Sequence, residues 1–581
     1  MTVPTLLVDD DDADVGSDAD DTRPGGDPAA TSGPMGRVLW ALPLVVAVAV
    51  PLVLFTIRAM HAPLNFDGGM NMQVAERLAD GHGYTRFYDE LQIYPHEVQT
   101  NGPFIYVAAV AIKVLGVNQL GLQFANLAFI AGFATVVFLL LREHRVLRVV
   151  GPSVVILTAP VVSLYGLGGL GEIPVTTFML LAILALAQAV RVPTRAPLWV
   201  AGAALAYGAA LATKTFSSGA VLALAAGGVC ALVAAPTKRL RLQTIAAGAS
   251  VALLPVVREV HKVFATGGLS GYRAWWSAER EGISAQSGFE GGRNAGLGQR
   301  FLDHMHILSG HLDTPAELLI LVLFVPLVWA AAVLAWRWRT QGLQPTLADP
   351  ASALLLMVAL LAATYIGWWL FLVPEAKTWI RRIYPGMLAL QLLYLLMVPW
   401  LVQVGRSALA RARGGAEGSE TSETSDTAAS RSASPLLRWG PVLGVAATAV
   451  VLAVTALPYT VRKVDRNTRD LIEGQELWLH DNEAAADFVD DHPDVRFYGD
   501  EWWSAPVISA MSERGFYNVG DADFCSLDPE RDMLVWDLDA RQIRSPEPWT
   551  RDGRLEYEEV AVFGGHVTIY GVGPGPAEDC D

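Results

Sequence analysis

The stretch His61–Phe104, HAPLNFDGGMNMQVAERLADGHGYTRFYDELQIYPHEVQTNGPF, lies between two long apolar segments and so reads as an extramembrane loop. Asp67 opens a short amphipathic helix in which Met70, Val74 and Leu78 form one stripe, with Asn71, Glu76 and Arg77 off it. Gly81 closes that helix at the C′ position. His82, Tyr84, Tyr88, Asp89, Glu90, His96 and Glu97 follow, a density of titratable and aromatic groups unusual for a connector beside a membrane. The stretch is expected to carry half of a functional site that the rest of the chain holds in place.

Composition sets the frame. At 581 residues the chain is too long for one core, and its 52% hydrophobic content is high for a soluble protein. Only 17% of residues are charged, yet the formal net charge is −16, and the charges are segregated into the run DDDDADVGSDADD and the region after Arg462. That acidic balance argues against nucleic acid as a partner. The N-terminal run is expected to be disordered and lacks the basic n-region and cleavage site of a signal peptide, so the first apolar segment reads as a retained anchor. Three cysteines exclude a disulfide-rich scaffold and a Cys-based zinc site.

A membrane-crossing helix needs about 20 mainly apolar residues, which gives about eleven spans, starting near residues 38, 119, 146, 173, 198, 217, 244, 316, 351, 386 and 439. Basic residues follow every second span: Arg142, Arg145 and Arg148; Arg191 and Arg195; Lys238, Arg239 and Arg241; Arg337 and Arg339; Arg406, Arg411 and Arg413. That side is expected to be the cytoplasm of a cell (plasma) membrane protein, and it also receives the N-terminus. The opening loop, GLGGLGEIP, Lys214, the loop from about 265 to 315 and PEAKTWIRRIYPG then lie outside, as does the C-terminus. The segment FIYVAAVAIKVLGVNQL is short for a span and carries Lys113, so it reads as a second membrane-surface helix.

The fold expected is an all-α multi-spanning membrane protein with a small extracytoplasmic α/β domain at its C-terminus. Residues 1–37 form the acidic tail, 38–404 the transmembrane module with its external loop 61–118, 405–438 a low-complexity linker, 439–460 the last span and 461–581 the outer domain. In that domain DVRFYG and DMLVWDL read as buried strands, HDNEAAADFVDDH as a helix and HVTIYGVG as a closing strand. An outside location would permit a disulfide between Cys525 and Cys580, two free thiols being the alternative.

The order of features is specific. An anchor span precedes an external Asp ahead of an amphipathic helix, then GHGY, then TNGP and an apolar surface helix. A GE pair, a TK at the outer end of the fifth span and RRIYP before a late span follow. This order resembles the GT-C glycosyltransferases, close to the lipopolysaccharide-core, aminoarabinose and protein O-mannosyl transferase branches, over roughly residues 38 to 404. The resemblance implies an inverting enzyme that moves a sugar from a polyprenyl-phosphate donor to a hydroxyl of a glycan, lipid or protein acceptor on the outer face.

Such a reaction needs a carboxylate to take the proton of the attacking hydroxyl. Asp67 matches the position where the family places that base, although an Asp there also serves as a helix cap. Glu172 matches the family's second carboxylate, with glycines around it that permit close backbone approach; a solvated Glu at a span mouth is the plain alternative. The leaving lipid phosphate needs positive charge, for which Lys214, Arg381 and Arg382 stand at helix ends, where lysine and arginine also commonly snorkel. His82, Tyr84, His96, Glu97 and Asn101 are candidate pocket residues. A divalent cation held by Asp67 and Glu172 is compatible with their oxygen ligands, though no metal-ligand spacing decides it. There is no GxxxxGK[ST] loop, no GxSxG elbow and no Ser-His-Asp order. A lipid-linked-glycan flippase and a non-catalytic envelope-assembly scaffold are the rival readings.

Overall fold

The computed structural model describes residues 34–61, 64–88, 90–95, 98, 100–117, 119–158, 169–287, 296–312, 314–373, 380–417, 478–499, 504–519, 522–537 and 554–576. The chain begins with helix α1 (Pro34–Ala59), the loop helix α2 (Phe66–Ala79), a hairpin of β1 (Thr85–Tyr88) and β2 (Glu90–Ile93), and α3 (Gly102–Leu115). A bundle follows: α4 (Gln119–Leu140), α5 (Arg145–Thr158), α6 (Glu172–Arg191), α7 (Ala196–Thr213), α8 (Val221–Ala234), α9 (Lys238–Gly248) and α10 (Leu253–Ala265). Then come α11 (Leu269–Ser287), α12 (Leu297–Leu312), α13 (Ala316–Gln341), the short α14 (Leu343–Ala348), α15 (Pro350–Phe371) and α16 (Tyr384–Glu417).

Among the described residues eight helices are long and apolar enough to cross a membrane: Leu120–Leu140, Glu172–Arg191, Pro193–Thr213, Thr215–Ala234, Lys238–Ala265, Ala316–Gln341, Pro350–Phe371 and Arg381–Val402. They coincide with eight of the expected spans, because a run of about 20 apolar side chains has no other way to satisfy its backbone in lipid than as a helix. The span expected near 38 is the helix α1, and the one near 146 starts as α5 and then leaves the described residues. The span near 439 and its flanking linker from 418 lie outside the described residues, as does the acidic tail up to residue 33. α16 runs on to Glu417, so the segment from 405 that was expected to be linker begins as helix. α3 has 14 residues, about 21 Å of rise, too short for a hydrocarbon core of about 30 Å. The chain is thus a membrane-embedded helical bundle whose core packs α4, α6, α8, α13, α15 and α16 together.

The C-terminal part is a small α/β unit, as its alternating pattern predicts. Helix α17 (478–491) precedes β3 (Arg496–Gly499), α18 (Ser504–Met511), β4 (Tyr517–Asn518), β5 (Asp532–Asp537), β6 (Leu555–Phe563) and β7 (Val567–Pro574). The sheet order is β4-β3-β5-β7-β6, parallel from β4 to β5 and antiparallel beyond. Both faces are covered: Met533 and Val535 pack with α17 and α18, while Leu534 and Trp536 pack with Phe524 and Leu527 on the other side. Cys525 is half of a disulfide, Cys230 is a buried free thiol, and Cys580, the expected partner of Cys525, lies outside the described residues.

Candidate active site

The cap of the loop helix α2 lies two residues before the Asp67 of the sequence expectation. It is Asn65, in extended conformation, whose side-chain oxygen accepts from the Gly68 N–H at 2.8 Å. Asn65 satisfies an orphan N–H of the first turn, so Asp67 is a residue of that turn rather than its cap. The Asp67 carboxylate stays favourable at a helix N-terminus while its side chain is used elsewhere. It forms an ion pair with Arg381, from the 3₁₀ turn Ile380–Ile383 that leads into α16.

Glu172 is the first residue of α6, and Gly171 before it has φ 76° and ψ 3°. A Cβ on Gly171 would lie 2.4 Å from Thr100 Cγ2, so the glycine is needed for contact with the loop. That close approach is to Thr100 of the external loop. Glu172 Oε1 accepts from Lys214 Nζ at 2.8 Å, with Glu172 3% and Lys214 7% exposed. Lys214 Nζ also donates to Leu170 O at 2.6 Å. Lys214 occupies the turn between the spans Pro193–Thr213 and Thr215–Ala234. Burial pushes its ammonium below the ordinary lysine range; Glu172 pulls it back up, and Arg381 and Asp67 act on it in opposite directions. Glu172 Oε2 is buried and accepts no hydrogen bond among the described residues.

A lattice of short bonds brings the two ion pairs to one place. Asn71 Nδ2 donates to Gly169 O at 2.6 Å, and Thr100 Oγ1 donates to Leu170 O at 2.9 Å. The Asn101 N–H donates to Thr213 O at 2.8 Å. α2, the start of α3, the glycine turn before α6 and the end of α7 are thereby locked to one another. Asp67, Glu172, Lys214 and Arg381 thus meet at one end of the bundle, on four separate segments. Arg382 is half-buried on the same 3₁₀ turn as Arg381.

The other candidates fall around this centre. Tyr84 is buried, stacks on Tyr94 with 4.6 Å between ring centroids, and donates to Thr100 O at 3.0 Å. Asn101 sits at the start of α3 and makes no side-chain cap. His82 is exposed in the turn after α2. His96 and Glu97 lie outside the described residues. Among the described residues no three His, Cys, Asp or Glu side chains stand together as metal ligands, and Asp67 and Glu172 are each matched to a cation instead.

Sequence reading missed what covers the second face of α2. Asn71 and Glu76, expected off the buried stripe, are 2% and 9% exposed, and Gln73 between them is 5% exposed. For Gln73 and Glu76 the reason is α18, which packs on α2 and shares its apolar core through Val507 and Ala510, while Asn71 is buried against the turn at Gly169. Gln73 Nε2 donates to Ser509 Oγ at 2.7 Å, and Arg86, wholly buried, donates to Gln73 Oε1 at 2.6 Å. A second missed cluster joins the hairpin to α10 and α11: Tyr94 is bonded to His261, and Lys262 Nζ lies 3.8 Å from the Trp275 ring centroid. Polar residues at helical spacing carry no mark that distinguishes a water-facing side from a docked one.

A membrane-embedded helical bundle with a buried, ion-paired carboxylate centre at one end is the class of protein that fold and site define. No family model matches the chain, and no curated protein matches it. Among solved structures the chain is similar to ArnT from Cupriavidus metallidurans bound to undecaprenyl phosphate, with TM-score 0.48 and 13% identity over 94% of this chain and 99% of that one. It is also similar to the apo state of ArnT from the same organism, with TM-score 0.49 and 14% identity over 92% and 98% of the two chains. At this level of identity and superposition the likeness assigns no residue, and the site stands on its own geometry.

Proposed function

We propose that the chain is a GT-C-type glycosyltransferase that transfers a sugar from a polyprenyl-phosphate donor to an acceptor hydroxyl on the extracytoplasmic face of the membrane. One observation carries the reading: two carboxylates and two cations, isolated in an apolar chain, come together as two largely buried ion pairs. Buried charges are costly unless paired, and a bundle that needed only stability would dispense with them.

Asp67 is the base. As the acceptor oxygen attacks the anomeric carbon, its proton passes to the Asp67 carboxylate. The new carbon–oxygen bond forms as the bond to the phosphate oxygen breaks, the electron pair stays on the lipid phosphate, and the anomeric centre inverts. Arg381 fixes the orientation of the carboxylate that takes the proton. Lys214 has three N–H groups, two of them directed to Glu172 and Leu170, which leaves the third for a phosphate oxygen. Arg382, next to Arg381, supplies a planar fork for the same phosphate. Glu172 Oε2 is suited to accept a bond from a sugar hydroxyl.

The test is transfer by the purified full-length protein in lipid, with a panel of polyprenyl-phosphate sugars and extracted envelope acceptors. Wild-type protein is expected to consume one donor and release the lipid phosphate, and Asp67→Asn to bind that donor without turnover. Movement of a lipid-linked glycan across proteoliposomes with no donor consumed would put a transporter in place of the transferase.

A further inference from the structure

The far end of the bundle holds a second site of different chemistry. α6 has 20 residues, so Glu172 and Arg191, at its two ends, stand roughly 29 Å apart along its axis. That is close to the thickness of a hydrocarbon core, which places Arg191 at the opposite membrane surface from the ion-paired centre. Beside Arg191, between α4, α6, α13, α15 and α16, lies a cavity of about 90 Å³.

Its lining is graded. The floor is apolar, with Leu140, Leu184 and Leu355 among the residues that form it, each under a tenth exposed. The rim is charged: Arg142, Glu143 and Arg191, each about a third exposed, with His144 and Gln188 beside them. Arg142 Nε donates to Glu143 Oε1 at 3.3 Å, and Arg191 Nη2 pairs with the same oxygen. Each guanidinium gives one N–H to Glu143 and keeps the rest of its fork for another acceptor. Two arginines against one glutamate leave the rim cationic, and Arg145 and Arg148 follow on α5. Trp329 also lines the cavity, and its buried indole N–H has no acceptor among the described residues.

An apolar floor, an unpartnered donor in the lining and a cationic rim match one kind of molecule. We propose that this cavity binds an anionic glycerophospholipid of the leaflet at that end. An acyl chain lies on Leu184 and Leu355, the phosphate is held by Arg142 and Arg191, and an ester carbonyl faces Trp329. Charge complementarity selects the anionic headgroup, since a zwitterionic one would set its own cation against the two arginines. The site is separate from the proposed transfer centre, so its occupancy can be measured whatever reaction that centre performs.

The test uses full-length protein stripped of lipid and titrated, with native mass spectrometry as readout. The probes are palmitoyl-oleoyl phosphatidylglycerol, phosphatidylcholine with the same chains, and undecaprenyl phosphate. Phosphatidylglycerol is expected to bind more tightly than phosphatidylcholine by about fivefold for each arginine engaged. Arg142→Gln with Arg191→Gln is expected to abolish that preference, and Ala187→Trp, which fills the cavity, to weaken both phospholipids. In wild-type protein in vesicles, phosphatidylglycerol with a photoreactive acyl chain is expected to label the segments around Leu184 and Leu354. Equal affinity for the two phospholipids, a preference that survives the arginine changes, or labelling confined to other segments would each overturn the proposal. Tighter binding of undecaprenyl phosphate than of phosphatidylglycerol would give the cavity a different occupant. The labelling arm needs no variant and decides the matter even if the substituted proteins fail to fold.

Discussion

Arg381 and Asp67, 314 positions apart in the sequence, form an ion pair in which the side chains are 11% and 19% exposed. The pair closes the bundle: one partner stands in the first external loop and the other at the entry to the last helix of the described bundle. In sequence Arg381 reads as a phosphate ligand and Asp67 as an isolated base. In the proposed transfer their contact gives Arg381 a second part, to hold the carboxylate at the orientation that proton transfer requires.

That pairing separates chemistry from architecture. Asp67→Asn keeps the size and the hydrogen-bonding oxygen of the side chain but cannot take a proton, so sugar transfer is expected to fall at least ~100-fold. Donor binding should change little, while the unfolding temperature should fall, since Arg381 loses the anion of a largely buried pair. Arg381→Gln should lower transfer less steeply, since the carboxylate keeps its place in the first turn of α2 but loses the partner that orients it. Transfer by purified Asp67→Asn near the wild-type rate would remove Asp67 from the role of base.

The Lys214–Glu172 pair is predicted to be structural as well as functional. Glu172→Gln leaves the buried ammonium without its anion, a loss on the order of 3–5 kcal/mol for a buried pair. Lys214→Met alone strands the carboxylate in the same way. The double variant removes both charges and is expected to regain most of the unfolding temperature without regaining transfer. If it regains both, the pair serves folding alone.

The four charges that meet at the centre stand out in the sequence for two different reasons. Glu172 and Lys214 are charges at the ends of apolar spans, where a single ionisable group is conspicuous, whereas Asp67 and Arg381 lie in charged loops and stand out only through the family resemblance. The eight spans were legible because hydropathy adds up over about 20 residues. What was hidden depends on partners distant in sequence or on backbone angles. Asn65 and Asp67 are both good caps two residues apart, and only the conformation of Asn65 decides between them. Ser504–Met511 is eight residues long, too short for a periodic signal, so nothing announced that it would cover α2. β6 is an edge strand with most of LEYEEVAVF exposed, and it lacks the alternation by which strands are recognised.

The covering of α2 makes a sign-specific prediction at Gly69. A Cβ there would lie 2.7 Å from Val507 N and 2.8 Å from Pro506 C, backbone atoms that cannot swing aside. On an undocked helix Gly→Ala stabilises by up to about 1 kcal/mol. With α18 in place Gly69→Ala is expected to destabilise instead, by about 1–3 kcal/mol as for other overpacked contacts. Chemical denaturation gives the sign, and faster protease cleavage in the C-terminal unit would locate the damage. A stabilised variant would mean that the two elements do not touch in solution.

Glu76, on the same helix, sets the pH dependence of that contact. Burial raises its carboxyl from the usual 4.5 to about 8, helped by Glu513 and Asp80 and opposed by Arg77. With its folded value near 8, the carboxyl is mostly neutral in the native state at pH 7. Its contribution to stability is complete below about pH 4.5 and is lost as pH rises through about 8. Wild-type protein is therefore expected to unfold at progressively lower temperature between pH 5 and 9. Glu76→Gln, neutral throughout, should flatten that slope and exceed wild type at pH 9 by a few kcal/mol at most. Thermal unfolding of both proteins across this range is the measurement. Parallel curves would show that Glu76 is already ionised where it meets the C-terminal unit, with Arg77 rather than burial deciding its charge.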